Sequence, residues 1–314
     1  MRINKKALGV VLVMSFCIAL LSACTETSDD AYETFLEGNN TLSFSYYIDN
    51  VYVDKEYKSS LDEAMLKLGS DDTEYTISEI KDALNKYIEK GIGSMEYAYI
   101  DCGVDGVKEM VLRIEMPSVH PGAKYFWVIK EIESRLQVIY AFEEFGEGYR
   151  DHVSINKFGY IEIEYRDATS VLSHHSSYID ADGKYEDGYG LSYNRSFEGF
   201  AGEMEEKGYL DRNLDGEIYW YGLHLEPNNS GNTQENYISY EVYDEETKEK
   251  MDIPNLYTDS KYKKVMDYFN DVCGDKIITM DELNQKIEDK LDSIGLTEQI
   301  MNGEEAEYKE LNID

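Results

Sequence analysis

The chain has 314 residues, 64 of them acidic against 30 Lys and Arg, for a formal charge of −34. So negative a surface repels phosphate backbones and lacks the basic clusters that nucleic-acid binders use, which excludes DNA and RNA as partners. Hydrophobic residues make up 42% and aromatics 13%, with 28 tyrosines; this excludes a disordered acidic chain and leaves enough length for one large core or two smaller ones.

At the N-terminus, Arg2, Lys5 and Lys6 precede an uncharged run over 7–21 that ends in Leu21-Ser22-Ala23-Cys24. A charged start, an apolar stretch and small residues at a cleavage point are the layout of a secretory signal. The run is shorter than the roughly 20 residues of a membrane span. With cysteine directly after Leu-Ser-Ala, the segment resembles the lipobox of bacterial lipoproteins. That resemblance implies cleavage before Cys24 and diacylglycerol on its thiol. Two acyl chains, at about 0.8 kcal/mol per buried CH2, hold a domain at a membrane stably where one chain is marginal.

The expected organisation is a signal peptide over 1–23, a lipidated Cys24 with polar spacer over 24–30, and an extracytoplasmic globular domain over 31–314. Within that domain, 259–301 reads as a helical subdomain. Losing 1–23 removes the three basic residues and no acid, so the mature charge becomes −37. Cys17 leaves with the signal. Cys102 and Cys273 remain where a disulfide is allowed, but their spacing does not decide whether they pair.

Along the mature chain, Asp29 to Leu36 reads as a short helix closed by Gly38, and the aromatics of 42–53 read as strand. Ser60 opens a helix that stops at Gly69. Thr76 and Glu79 have capping-box spacing, and Ile77, Ile80, Leu84, Tyr87 and Ile88 share the face behind them. From 95 to 243 the period becomes two, over 95–101, 109–116, 124–132, 136–145, 161–166, 217–225 and 237–243, with acidic, glycine-bearing turns. A helical interruption is expected at 197–207. Helix returns at 259–271 and again behind the capping pair Thr279 and Glu282, whose Leu283, Ile287, Leu291 and Ile294 form a stripe. The last dozen residues read as frayed. The fold class is therefore α+β: N-terminal helices, a central antiparallel sheet as a meander or small sandwich, and a helical C-terminal part.

The segment 97–114, YAYIDCGVDGVKEMVLRI, carries Asp101, Asp105 and Glu109 at loop positions 1, 5 and 9 with Gly106 at position 6. Hard cations take several oxygens, and glycine lets the backbone turn tightly enough to gather them. Lying between two apolar strands, the loop resembles the acidic loop of FG-GAP and calcium-binding propeller-type repeats, although Gly103 stands where that family has Asp or Asn. The resemblance implies calcium on Asp101, Asp105 and Glu109. Asp211, Asn213 and Asp215, with Gly216, repeat the early part of a calcium loop. Asp180, Asp182 and Asp187 form a third acidic turn, equally suited to a plain hairpin. Asp271, Asp275, Thr279 and Glu282 match an EF-hand-like spacing, but Lys276 occupies the turn position that takes glycine.

Other chemistry has little footing. Adjacent His174 and His175 point to opposite faces of a strand, and there is no HExxH, CxxC, G-x-S-x-G or glycine-rich phosphate loop. The tyrosines at 185, 189, 193, 219 and 221, with Trp220, suit either cross-strand packing or an aromatic platform for a glycan or peptide. As a whole the chain resembles a loosely related set of acidic bacterial lipoproteins sharing a lipobox and a segment like 97–114, a likeness that carries no activity. The expected function is a membrane-tethered, non-catalytic binding or structural module steadied by calcium, with no catalytic residue assigned. The alternative is an extracytoplasmic glycan-acting hydrolase, since so many acids supply carboxylate pairs.

Overall fold

The computed structural model describes residues 27–51, 60–70, 72–88, 91–117, 122–144, 151–167, 171–194, 200–210, 214–225, 235–258 and 260–313. Its architecture is α+β, with two seven-stranded, mostly antiparallel sheets.

The first sheet grows from a meander of β3 (Met95–Ile100), β4 (Glu109–Glu115), β5 (Lys124–Ile132) and β6 (Arg135–Glu144). On one side β6 takes β1 (Leu42–Ser43) in parallel, and β1 takes β2 (Glu74–Tyr75). On the other side β3 takes β14 (Lys309–Glu310). The period of two puts alternate residues on opposite faces. Met110, Leu112, Ile114, Trp127 and Ile129 pack under the helices α1 (Thr27–Leu36), α2 (Ser45–Asn50), α3 (Ser60–Leu68) and α4 (Ile77–Tyr87). Val111, Phe126, Val128 and Phe142 face the second sheet.

Helix α4 begins as its sequence predicts. Thr76 accepts from the Glu79 N–H while the Glu79 carboxylate accepts from the Thr76 N–H at 2.8 Å, a reciprocal cap whose loss costs about 1 kcal/mol. Ile77, Ile80, Leu84 and Ile88 are buried, whereas Tyr87 is exposed beside Lys67.

The second sheet is a longer meander: β7 (Asp151–Ile155), β8 (Tyr160–Asp167), β9 (Val171–Ile179), β10 (Tyr185–Asn194), β11 (Glu217–Leu225) and β12 (Glu235–Tyr243), with β13 (Lys276–Ile277) parallel to β12 at the far edge. One face meets the first sheet through Val153, Ile155, Ile161 and Ile179. Farther along the same face, Ile218, Ile238, Tyr240 and Val242 are covered by α5 (Ala201–Glu206), α6 (Lys261–Tyr268) and the π-turn Phe269–Cys273 that continues α6. The reverse face carries α7 (Met280–Ser293) and α8 (Glu298–Met301) on Tyr160, Tyr178, Leu223 and Tyr237. Thr279 and Glu282 form the second capping box.

Two expectations need correction. The 42–53 strand stops after Ser43 and the chain coils into α2. The Ser43 hydroxyl accepts from the Ser45 N–H at 3.3 Å, a local bond that competes with a sheet ladder, while Phe44 and Tyr47 find burial in the helical layer. The C-terminal residues are stitched down rather than frayed. Leu311 donates to Met95 O at 2.8 Å, Ala306 to Ile155 O at 3.0 Å, and Lys157 N–H to Glu304 O at 2.9 Å, so the tail bonds to both sheets. Among the described residues no helix is long and apolar enough to cross a membrane.

Candidate functional site

The structure does not bring Asp101, Asp105 and Glu109 together as ligands. Glu109, at the start of β4, is fully buried. One of its oxygens accepts from the Cys102 N–H at 2.8 Å and the other from the Lys130 ammonium. Lys130 also donates to Ala181 O at 2.9 Å, tying the loop to the β9–β10 hairpin. Asp101 accepts from Gly106 N–H at 3.0 Å and Asp105 from Val107 N–H at 2.7 Å, so both carboxylates cap their own loop. Burial pushes the Glu109 carboxyl above its ordinary range despite Lys130, and Glu109 carries Lys130 above its own despite burial. Burial, then the Glu109 charge, pushes the Cys102 thiol well up.

Gly103 explains the missing third ligand. Its φ is +73°, and a Cβ there would sit 2.5 Å from Ala181 N. Only glycine fits where the loop meets the hairpin. The acids of 101–109 thus serve a junction between the two sheets.

The other expected ligands that lie among the described residues also have partners. Asp211 and Asn213 lie outside the described residues, as does Cys24. Asp215 pairs with Lys261 at 2.7 Å. Asp180 caps the 180–184 hairpin by accepting from the N–H groups of Asp182 and Lys184. Asp271 accepts from Tyr209 OH at 3.0 Å, and Thr279 with Glu282 is the helix cap already described. Among the described residues no group of three His, Cys, Asp or Glu side chains is placed to share an ion. Cys102 and Cys273 are free thiols, the first buried and the second exposed.

A different site appears on the second sheet, between its two cores. Strand pairing aligns Ile163, His175, Gly190, His224 and Asn236 in one row across β8–β12. Beside it runs Tyr165, Ser173, Ser192 and Gly222. Directly opposed residues share a face, so small side chains form a floor between larger walls. The result is an open cleft of about 420 Å³, to which Trp220 and Asp275 also contribute, within the range of small-molecule sites. The Trp220 ring leans over Gly222, with Cζ3 3.6 Å from where a Cβ would be. Gly190 leaves the space between the two imidazoles: a Cβ there would lie 3.4 Å from His224 Cβ and 3.8 Å from His175 Nδ1. Neither glycine has a left-handed backbone, so both serve by leaving room.

No known family, curated protein or solved structure matches the chain. The cleft's chemistry therefore rests on its own residues.

His175 Nε2 lies 3.5 Å from Asp187. Burial raises Asp187, but hydrogen bonds from His175 and Tyr185 outweigh it and hold the carboxyl below its ordinary value. At the other end burial raises Asp275, opposed by His224. Ser173 and Ser192 share a hydrogen bond of 3.0 Å across the floor. The Asn236 amide oxygen is buried with no hydrogen-bond partner among the described residues.

His174 faces the reverse side, 3.8 Å from Glu162, as strand alternation requires. Of the tyrosine cluster, Tyr189, Tyr193, Tyr219 and Tyr221 lie on that reverse face, where Tyr193 pairs opposite Tyr221 with centroids 5.2 Å apart and Tyr219 meets Tyr243 at 4.5 Å. Tyr185 instead stacks on Tyr140 in the inter-sheet core. The hydroxyl of Tyr219 goes to Glu217 and those of Tyr221 and Tyr243 to Glu241, a cross-strand packing role. Sequence reading passed over Gly190, Gly222, His224 and Asn236. The available signal was glycine inside strands, which marks close approach or open space.

Proposed function

We propose that the chain is a membrane-tethered, extracytoplasmic, non-catalytic binding module that holds its ligand in the cleft across β8–β12. The observation that carries the proposal is a floor of glycine and serine, open between two packed cores and walled by His175, His224, Tyr165 and Trp220. A sheet that merely packs has no use for in-strand glycines at that point. The tether rests on Leu21-Ser22-Ala23-Cys24, with the acidic domain repelled by anionic headgroups and the acyl chains making the membrane contact. Among the described residues Asp275 is the one carboxylate in the cleft's lining, whereas glycoside cleavage uses two. That favours binding over hydrolysis.

Equilibrium dialysis of the mature chain against a digest of the surface polymers of the cell that makes it tests the binding clause. Retention of a component, unchanged in length, by the native chain and its loss with Gly190→Val is the expected result. Equal retention by both chains, or shortening of the digest, overturns it. For the tether, Cys24→Ser should move the protein from the membrane fraction to the medium; an unchanged distribution contradicts the anchor.

A further inference from the structure

We propose that the ligand of this cleft is a neutral carbohydrate, held against Trp220 and hydrogen-bonded by the histidine row; this rests on the binding reading above and names its substrate class. Other classes fail on particular residues. A peptide adding as a strand needs a free sheet edge, but β9, β10 and β11 each have neighbours on both sides and the edges are β7 and β13. An anion meets a chain of charge −34 and, in the cleft's lining, the Asp275 carboxylate, with Asp187 close behind His175. A metal ion finds no set of three ligating side chains among the described residues. An aliphatic ligand would strip water from Ser173, Ser192, His175, His224, Asn236 and Asp275 without returning hydrogen bonds, which is costly for each polar group.

A neutral sugar fits each of these groups. Its hydroxyls both donate and accept, matching imidazoles that do either and an Asn236 oxygen that has no donor among the described residues. Its apolar C–H faces suit the indole of Trp220, whose ring borders the floor at Gly222. The flat Gly190, Gly222 and serine floor admits a ring lying along the sheet. It carries no charge, so the acidity of the domain does not oppose its approach.

Two tryptophans make the test direct. Trp127 is fully buried in the first core, so a soluble quencher such as acrylamide reads Trp220 alone. The mature chain is titrated with neutral tetrasaccharides of glucose, of mannose and of N-acetylglucosamine at millimolar concentration. At least one should reduce the quenching constant by about twofold, because a pocket that buries most of its ligand also covers its own wall. Gly222→Val should abolish the effect while leaving the thermal midpoint near native, since a Cβ there meets only the Trp220 ring at 3.6 Å and Ser192 Cβ at 3.9 Å. Gly190→Val is the second variant, expected to behave the same way.

If no tetrasaccharide protects Trp220, the carbohydrate class is overturned. If instead a basic peptide protects it and Gly222→Val stops that, the cleft remains a binding site and only the class has failed. If a sugar protects Trp220 equally in both glycine variants, the sugar binds elsewhere and this proposal falls.

Discussion

Replacing Lys130 with methionine tests the junction that holds the two sheets together. Glu109 is 0% exposed and Lys130 13% exposed at their side chains, so the variant leaves a carboxylate in the interior with the N–H and thiol of Cys102 as neutral donors. Breaking a buried pair from one side costs about 3–5 kcal/mol. The half-buried Ala181 carbonyl also loses its donor, adding about 1 kcal/mol. Adding Glu109→Gln to Lys130→Met removes the stranded charge while keeping an acceptor for Cys102. The double variant should therefore recover all but about 1–2 kcal/mol of the native stability.

Urea melts supply the measurement, with a lower midpoint at unchanged slope. The acid dependence follows from the direction of the shift. Burial already raises Glu109, and without Lys130 it rises further. The folded variant then binds a proton at a pH where its unfolded chain does not, so its deficit shrinks as pH falls through that folded value. A single variant within about 1 kcal/mol of native at neutral pH, or a double variant no better than the single, would refute the reasoning.

Three further outcomes follow from the same contacts. Hydrogen bonds from Thr76 and Thr279 lower the carboxyls of Glu79 and Glu282. Their stabilisation is present above the unfolded carboxylate range and lost as pH falls through the lower folded values, so Glu79→Gln with Glu282→Gln should flatten the acid limb of a stability–pH curve. Gly103→Val should destabilise by about 1–3 kcal/mol in a thermal melt, through both positive φ and the Ala181 contact, while Gly106→Ala, with φ +81° and open space, loses only the backbone part. Under native conditions a maleimide should label Cys273 and leave Cys102 untouched, because Cys102 is fully buried and burial raises its thiol; equal labelling would contradict the buried junction.

The elements that short-range patterns encode were legible. Thr76 with Glu79 and Thr279 with Glu282 marked both helix starts, because a capping box is complete within four residues. The alternation over 95–145 showed the first meander for the same reason. Elements defined by distant partners were not. Residues 45–50 have strand composition, yet the Ser43 hydroxyl and the burial of Tyr47 turn them into helix. The acidic tail has no periodicity, and what orders it is Ile155 and Met95, more than 100 residues away in sequence.

The acidic loop shows the limit most plainly. Asp101, Asp105 and Glu109 have the spacing of a calcium loop, but a spacing does not say what faces it. Lys130 reaches Glu109 from the next strand and Ala181 closes the contact from the other sheet. The cleft is harder still to read, because five strands each contribute one residue to a row and no two of those residues are neighbours in sequence.

The central claim is that a ligand sits on the His175–His224 face of the second sheet. It is tested most directly by NMR of the chain labelled at its histidine rings, titrated with the retained component of the surface-polymer digest. His175 and His224 line the cleft, while His174 turns to Glu162 on the reverse face and His152 stands opposite Glu164 on β8. The account predicts that the resonances of His175 and His224 move together and that those of His174 and His152 stay in place. Movement of His174 or His152 with His175 and His224 unmoved would contradict it.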